Sequence, residues 1–190
     1  MTDPHSLINS RIQGSLDAIG ALRDDASTLA HIIDVVSRTL AQGGCVMTCG
    51  NGGSAAEALH LAEELIGRYR ADRAPKRAIC LNADPTAITC IGNDFGFDSI
   101  FARQVEGLGR AGDALVVFST SGNSPNVIEA LKAARAANVT TIGLLGKDGG
   151  PARAHCDAAL IVRSHDTAHI QEAHQVVLHL VLEAIDSTID

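Results

Sequence analysis

Short apolar runs alternate with helix-length amphipathic segments along most of this chain. Two N-terminal stretches, 6–24 and 27–42, have helical periodicity. After them come CVMTC (45–49), a helix over 54–67, AICLN (78–82), helical pieces across 85–108 and ALVVFS (114–119). A helix over 125–137, TTIGLL (140–145), a short segment, AALIV (158–162) and a helix over 168–188 complete the order. The second helix is expected to open on Ser27 as its cap and to close at Gly43 and Gly44. The five apolar runs lack polar alternation, as strands of a parallel sheet covered on both faces do. The predicted architecture is therefore a three-layer α/β/α sandwich around a central parallel sheet of about five strands. No Pro/Gly/Ser linker interrupts the 190 residues, and 71–76 reads as a polar connection. One domain is predicted, with 1–43 as a helical pair and 44–190 as the α/β core.

Composition sharpens this picture. Hydrophobic residues make up 46% of the chain and aromatic ones only 3%, so the core must be aliphatic. A net charge of −7 with no Lys/Arg run argues against nucleic acid and anionic membranes as partners. MTDPHSLINS lacks a basic segment followed by an apolar run, and no apolar stretch approaches the roughly 20 residues of a membrane span. A cytoplasmic protein is expected. The five cysteines are odd in number and show no CxxC spacing, so they read as small hydrophobes without disulfides.

Candidate chemistry begins in two loops. CVMTC–GNGGS–AAEALHLAEEL and ALVVF–STSGNS–PNVIEALKAARAA repeat a strand, loop and helix, and both loops leave the carboxyl end of a strand, where open α/β sheets bind ligands. Gly50, Gly52 and Gly53 permit positive φ and close backbone approach, ahead of a helix whose free N–H groups favour an anion. Ser119, Thr120, Ser121 and Ser124 add hydroxyl donors around Gly122. Either loop alone is equally an ordinary capped turn; together they point to phosphate. A Walker loop is excluded, because Lys147 is followed by Asp148. Gly50, Gly52 and Ala55 fit a dinucleotide fingerprint only weakly, with no acidic ribose partner where that fold places one.

The helix behind the first loop carries His60 and Glu64, four apart and thus on one face, with Glu57 a turn earlier. Such a pair also decorates solvated helices, but beside a phosphate loop it reads as an acid/base group. On the last helix Ile170, Val177, Leu180, Val181 and Ala184 form the apolar stripe. Glu172, Gln175, His179 and Glu183 oppose that stripe, and His174 falls inside the apolar arc as a core or interface histidine. Gln171 and His179 are eight apart, about 12 Å along a continuous helix. If both serve one site, either Gln171 precedes the helix or two subunits contribute.

CGNGGSAAEALHLAEELIGRY, IGNDFGFDSIFARQVEGLGRAGD, STSGNSPNVIEALKAA, GKDGG and DTAHIQEAH, in that order, resemble the sugar isomerase (SIS) domain family, and within it the phosphoheptose isomerases. The resemblance runs through nearly the whole chain. It implies the SIS fold and a homotetramer with active sites between subunits, packed partly through the N-terminal helices. It also implies interconversion of sedoheptulose 7-phosphate and D-glycero-D-manno-heptose 7-phosphate. That reaction heads nucleotide-activated heptose synthesis for bacterial surface glycans, in lipopolysaccharide core or capsule.

By the same resemblance, phosphate and sugar contacts fall on Asn51, Gly52, Gly53, Ser54, Asn93, Asp94, Ser119, Thr120, Ser121, Ser124 and Gln171, and catalysis on Glu64 and His179. Zinc-carrying members would hold the ion, one per subunit, through residues matching His60, Glu64, Gln171 and His179; no nucleotide cofactor is implied. This donor set suits a divalent metal with an open position. Glu64 as general base and Glu64 as metal ligand are competing roles. His169 stands where the family usually has Arg, which affects a local anion contact. The other function class is a non-catalytic phosphosugar-binding SIS regulator; such relatives lose the glutamate or the histidine, and this chain keeps both.

Overall fold

The computed structural model describes residues 3–70 and 72–187. Ala71 of the polar connection and Thr188, where the pattern ended the last helix, lie outside the described residues. The chain opens with helices α1 (Pro4–Gly20) and α2 (Ala26–Ala41), then alternates β1 (Val46–Gly50), α3 (Gly53–Ile66), β2 (Ala78–Cys80), α4 (Pro85–Phe95) and α5 (Ala102–Leu108). It continues with β3 (Ala114–Ser119), α6 (Pro125–Ala136), β4 (Thr140–Gly146), β5 (Ala158–Val162) and α7 (Thr167–Ser187). Among the described residues the strands form one five-stranded sheet in the order β2-β1-β3-β4-β5. Every pairing is parallel.

The unbroken apolar character of the strands has the expected cause. In β1 and β3 every residue is buried. Alternate positions serve opposite faces: Val46, Ala114, Val116, Phe118, Ile142 and Leu144 pack with residues of α2, α3 and α7. Met47, Cys49, Leu115, Val117 and Leu145 pack with α5 and α6. Phe101 and Phe118 are the only aromatic side chains among the largest fully buried ones, and aliphatic residues fill the rest. All five cysteines are free, and burial pushes the thiols of Cys49, Cys80 and Cys156 up, in keeping with their reading as small hydrophobes.

Several boundaries differ from the pattern, among them the end of α1 at Gly20 instead of residue 24, and two further ones have a clear physical reason. Helix α2 starts at Ala26, not on a Ser27 cap, because a 3-10 turn over Ala21–Asp25 feeds it a chain already in helical conformation. The β2 strand stops at Cys80 instead of reaching residue 82. There the Asn82 side chain takes over pairing with β1, accepting from the Gly50 N–H at 3.2 Å and donating to the Gly50 carbonyl at 2.9 Å.

At the far end of α3, Arg73 fastens that helix to α7. Its guanidinium donates to the Glu64 and Leu65 carbonyls at 2.8 and 2.9 Å and to Asp186 at 2.9 Å, with both side chains of the ion pair nearly sealed from solvent (2% and 8% exposed). Removing one partner of such a pair leaves a buried charge and orphaned helix-end carbonyls. Arg73→Ala is expected to lower unfolding free energy by about 3–5 kcal/mol in urea titration, whereas a loss below about 1 kcal/mol would mean that the pair carries no weight.

Candidate active site

β1 and β3 are neighbours, in register from Val46 opposite Ala114 to Gly50 opposite Phe118, so the two loops leave adjacent strand ends. A reciprocal amide pair locks them together: Asn51 donates to Asn126 and Asn126 donates to Asn51, both at 2.9 Å, with Asn126 1% exposed. Between the loops lies a cavity of about 270 Å³. Asn51, Gly52, Gly53, Ser54, Ser119, Thr120, Ser121, Ser124 and Gln171 line it, with Phe118 and Thr167 beside them.

The helices around this cavity begin in two different ways. Asp3 caps α1 and Asp84 caps α4 through side-chain bonds to first-turn amides, and Asp166 does the same for Ala168 and His169 in α7. These amide bonds hold the Asp166 carboxyl below its ordinary range. α3 and α6, which open onto the cavity, have no side-chain cap, as is also the case for α2 and α5 away from it. What sets α3 and α6 apart is that their N-termini open onto one space and offer it free first-turn amides, a geometry that suits an anion. Ser119 and Ser121 use their hydroxyl oxygens to accept from Gly122 and Asn123, which leaves their O–H donors for a ligand.

Only one of the three glycines of the first loop needs its conformational freedom: Gly52, at φ 58° and ψ −123°. Gly50 is glycine for want of space against backbone, and Gly53 leaves room for the Gln171 side chain. A Cβ on Gly50 would lie 2.5 Å from the Ser54 carbonyl oxygen, and one on Gly53 2.4 Å from the Gln171 amide nitrogen. The GKDGG segment acquires a role the sequence did not suggest. It buttresses the second loop, with a Cβ at Gly122 falling 1.9 Å from the Gly149 carbonyl and Ala152 donating to the Gly122 carbonyl at 3.0 Å.

From Gly53, α3 runs alongside α7, and Gly53, Glu57, His60 and Glu64 share the face turned to it. Gly53 meets Gln171, Glu57 meets His174, and His60 meets Gln175. The His60 Nε2 lies 3.5 Å from the Glu64 Oε1, and the His179 ring sits edge-on to His60 at 5.3 Å between centroids, stacked on Tyr69 at 5.5 Å. His179 is half-buried here, where periodicity placed it on the surface, whereas Leu180 of the expected apolar stripe is exposed. Glu57 does not join His60 and Glu64: it is buried, with its carboxylate 3.8 Å from His174, whose other ring nitrogen bonds the Leu145 carbonyl.

Helix α7 is continuous from Thr167, so Gln171 does not precede it. The Gln171 amide lies against Gly53 in the cavity, while the amide lying between His60 and His179 belongs to Gln175, one turn further on. Asn93 and Asp94 are exposed near the end of α4 and do not line the cavity. Among the described residues, His60, Glu63 and Glu64 bring ligand atoms within 4.8 Å of one another. Imidazole and carboxylate oxygens at this spacing fit a divalent transition metal, with His179 beside them. Glu63, Gln175 and Tyr69 are the members of this cluster that motif reading missed.

A five-stranded parallel sheet with a cavity between the loops that leave the carboxyl ends of β1 and β3 defines the class, and residues 12–146 match the SIS domain family. The chain belongs to that family. It is 51% identical over 152 residues to the phosphoheptose isomerase of Campylobacter concisus, covering 80% of each chain. It is 46% identical over 182 residues to that of Rhodospirillum rubrum, covering 96% of this chain and 97% of the relative. The solved structure of the phosphoheptose isomerase from Neisseria gonorrhoeae superimposes with a TM-score of 0.92 at 39% identity, over 98% of this chain and all of the other.

The electrostatics of the cluster give a direct test. Partial burial and the nearby His60 ring lower the His179 pKa from its ordinary 6.5, while Glu64 and Glu183 act in the raising direction. The unfolded chain thus binds this proton more tightly, so the stability contributed by His179 is full above about 6.5 and is lost as pH falls through the lowered folded value. NMR titration of the metal-free protein should give a His179 midpoint below 6.5 that falls further in Glu64→Gln and rises in His60→Ala. Opposite displacements in the two variants would contradict this account of the site.

Proposed function

We propose that this chain is a phosphoheptose isomerase that interconverts sedoheptulose 7-phosphate and D-glycero-D-manno-heptose 7-phosphate, the first step toward nucleotide-activated heptose for bacterial surface glycans. The observation that carries this reading is the pairing, along one α3–α7 face, of an uncapped anion cavity at Gly53 with a His60–Glu64–His179 cluster. Seven residues of helix separate Gly53 from His60, about 10 Å, a distance suited to a sugar chain anchored by its far phosphate.

Aldose–ketose isomerisation removes a proton from carbon beside a carbonyl, stabilises the enediolate and moves a proton between oxygens. Asn51, Gly52, Gly53, Ser54, Ser119, Thr120, Ser121, Ser124 and Gln171 hold the phosphate end. Glu64, 18% exposed and so sheltered from bulk water, takes the proton from C1 or C2 and returns it to the other. His179, neutral near pH 7 through its lowered pKa, exchanges protons with the substrate oxygens. A zinc ion held by His60, Glu64 and His179, with Glu63 in reach, would supply Lewis-acid polarisation of those oxygens. Glu64 acts as base only while it is not a ligand.

We also propose a homotetramer in the cytoplasm. Leu7, Ile8, Ile12 and Leu16 leave α1 with an exposed apolar stripe, and α4 buries none of its residues and exposes Phe95. Both features support subunit contacts, and a neighbouring subunit would bring Asn93 and Asp94 to the substrate. Free cysteines suit a reducing compartment. No described helix is long and apolar enough to cross a membrane. A phosphosugar-binding regulator would need neither Glu64 nor His179, and the presence of both favours the enzyme.

Turnover of sedoheptulose 7-phosphate in deuterated water tests the reading. The heptose product should carry deuterium at C2, and Glu64→Gln and His179→Ala should each lower kcat by about 10²–10⁴-fold. Sugar phosphate bound without exchange or product would make the chain a regulator instead.

A further inference from the structure

The Gln175 side chain occupies a position that neither the phosphate site nor the implied ligand set explains. Its amide nitrogen is 2.5 Å from the His60 Nδ1 and 3.4 Å from the His179 Nε2. An amide nitrogen has two hydrogens and no lone pair to offer, so it serves two imidazoles only if each presents an unprotonated nitrogen to it. His60 must then carry its proton on Nε2, the nitrogen turned to the Glu64 carboxylate at 3.5 Å. His179 carries its own proton on Nδ1. One neutral side chain thereby fixes the proton positions of both histidines in the cluster.

The same geometry permits a second state. Rotating the amide by 180° exchanges its nitrogen and oxygen, and the oxygen accepts from a protonated His60 Nδ1, with the His179 proton moved to Nε2 so that it too faces an acceptor. The His60 Nε2 is then a free lone pair aimed at the position shared with Glu64, without any movement of the ring. An imidazole bound to a metal through one nitrogen is characteristically held by an acceptor on the other. The amide is well placed for this, because Gln175 and His179 are one helical turn apart on α7 and His60 faces both from α3.

We propose that Gln175 is a positioning residue: it sets which nitrogen of His60 carries the proton, as donor in the metal-free protein and as acceptor when a metal ion takes Nε2. The metal-bound half rests on the metal reading of the site given above; the metal-free half does not. The test compares wild type with Gln175→Leu, which removes both hydrogen-bonding ends, and Gln175→Glu, which keeps only acceptors.

Nitrogen-15 NMR of the metal-free proteins reads the tautomer. Wild-type His60 is expected as the Nε2–H form, Gln175→Glu as the Nδ1–H form, and Gln175→Leu as a mixture. Zinc competition against a chromophoric chelator reads the second half. Affinity is expected to fall by about 10–100-fold in Gln175→Leu and to be restored in Gln175→Glu. Lost packing alone would move neither the direction of the tautomer change nor the rescue by glutamate. If wild type binds no zinc, the metal reading fails and the metal-free spectra alone decide the assignment. The proposal is overturned if the His60 nitrogen shifts are the same in wild type and Gln175→Leu.

Discussion

The reciprocal hydrogen bonds between Asn51 and Asn126 hold the site together. A parallel sheet places two loops side by side, but it does not fix their tips, which leave the strand ends carrying unpaired backbone groups. Here each amide both donates to and accepts from the other, with Asn126 buried, so neither loop can shift without breaking two hydrogen bonds at once. The Asn82 amide brackets Gly50 from the other side of β1, and the glycines after β4 press on Gly122. The cavity is therefore rigid in its walls although its lining is mostly small residues. Its donors are set before any ligand arrives, and on the proposed reading this preorganisation lets the cavity hold a phosphate without lysine or arginine.

Much of this was legible in the sequence, and the reasons are specific. Strands buried on both faces lose polar alternation and read as continuous apolar runs, so the β1, β3, β4 and β5 segments stand out, and glycine–serine turns mark where they hand over to helices. The pair His60 and Glu64 follows from helical spacing alone. What escaped depends on tertiary context. A Ser27 cap is the local preference, and it loses to a chain that enters α2 already helical. Periodicity put His179 at the surface because it cannot see Tyr69 and α3 arriving to cover it. Gln175 belongs to no motif; it is distinguished from Gln171 only by which residue of α3 stands opposite. The burial of His174 was legible from its place in the apolar arc, but its meeting with Glu57 was hidden for the same reason, since helical spacing within one element cannot pair residues of two.

Two kinds of polar chemistry thus occupy successive levels of the α3–α7 interface. At the first turn it is backbone amides and hydroxyls, neutral and oriented. Two turns further it is ionisable rings and carboxylates, whose charge states depend on one another. Separating them matters, because a phosphate dianion beside His179 would raise the affinity of that ring for a proton and undo the neutral state that burial and His60 favour. Distance along the helices keeps the anchor from titrating the chemistry.

Arg73 gives these helices a property of a different kind. By tying the last carbonyls of α3 to Asp186 near the end of α7, it fixes the two rods at the end away from the cavity, while at the other end they are joined by weaker contacts such as Gln171 against Gly53. The two helices are thus held at one end by buried charge and at the other by neutral amide contact, about 16 Å apart along α3.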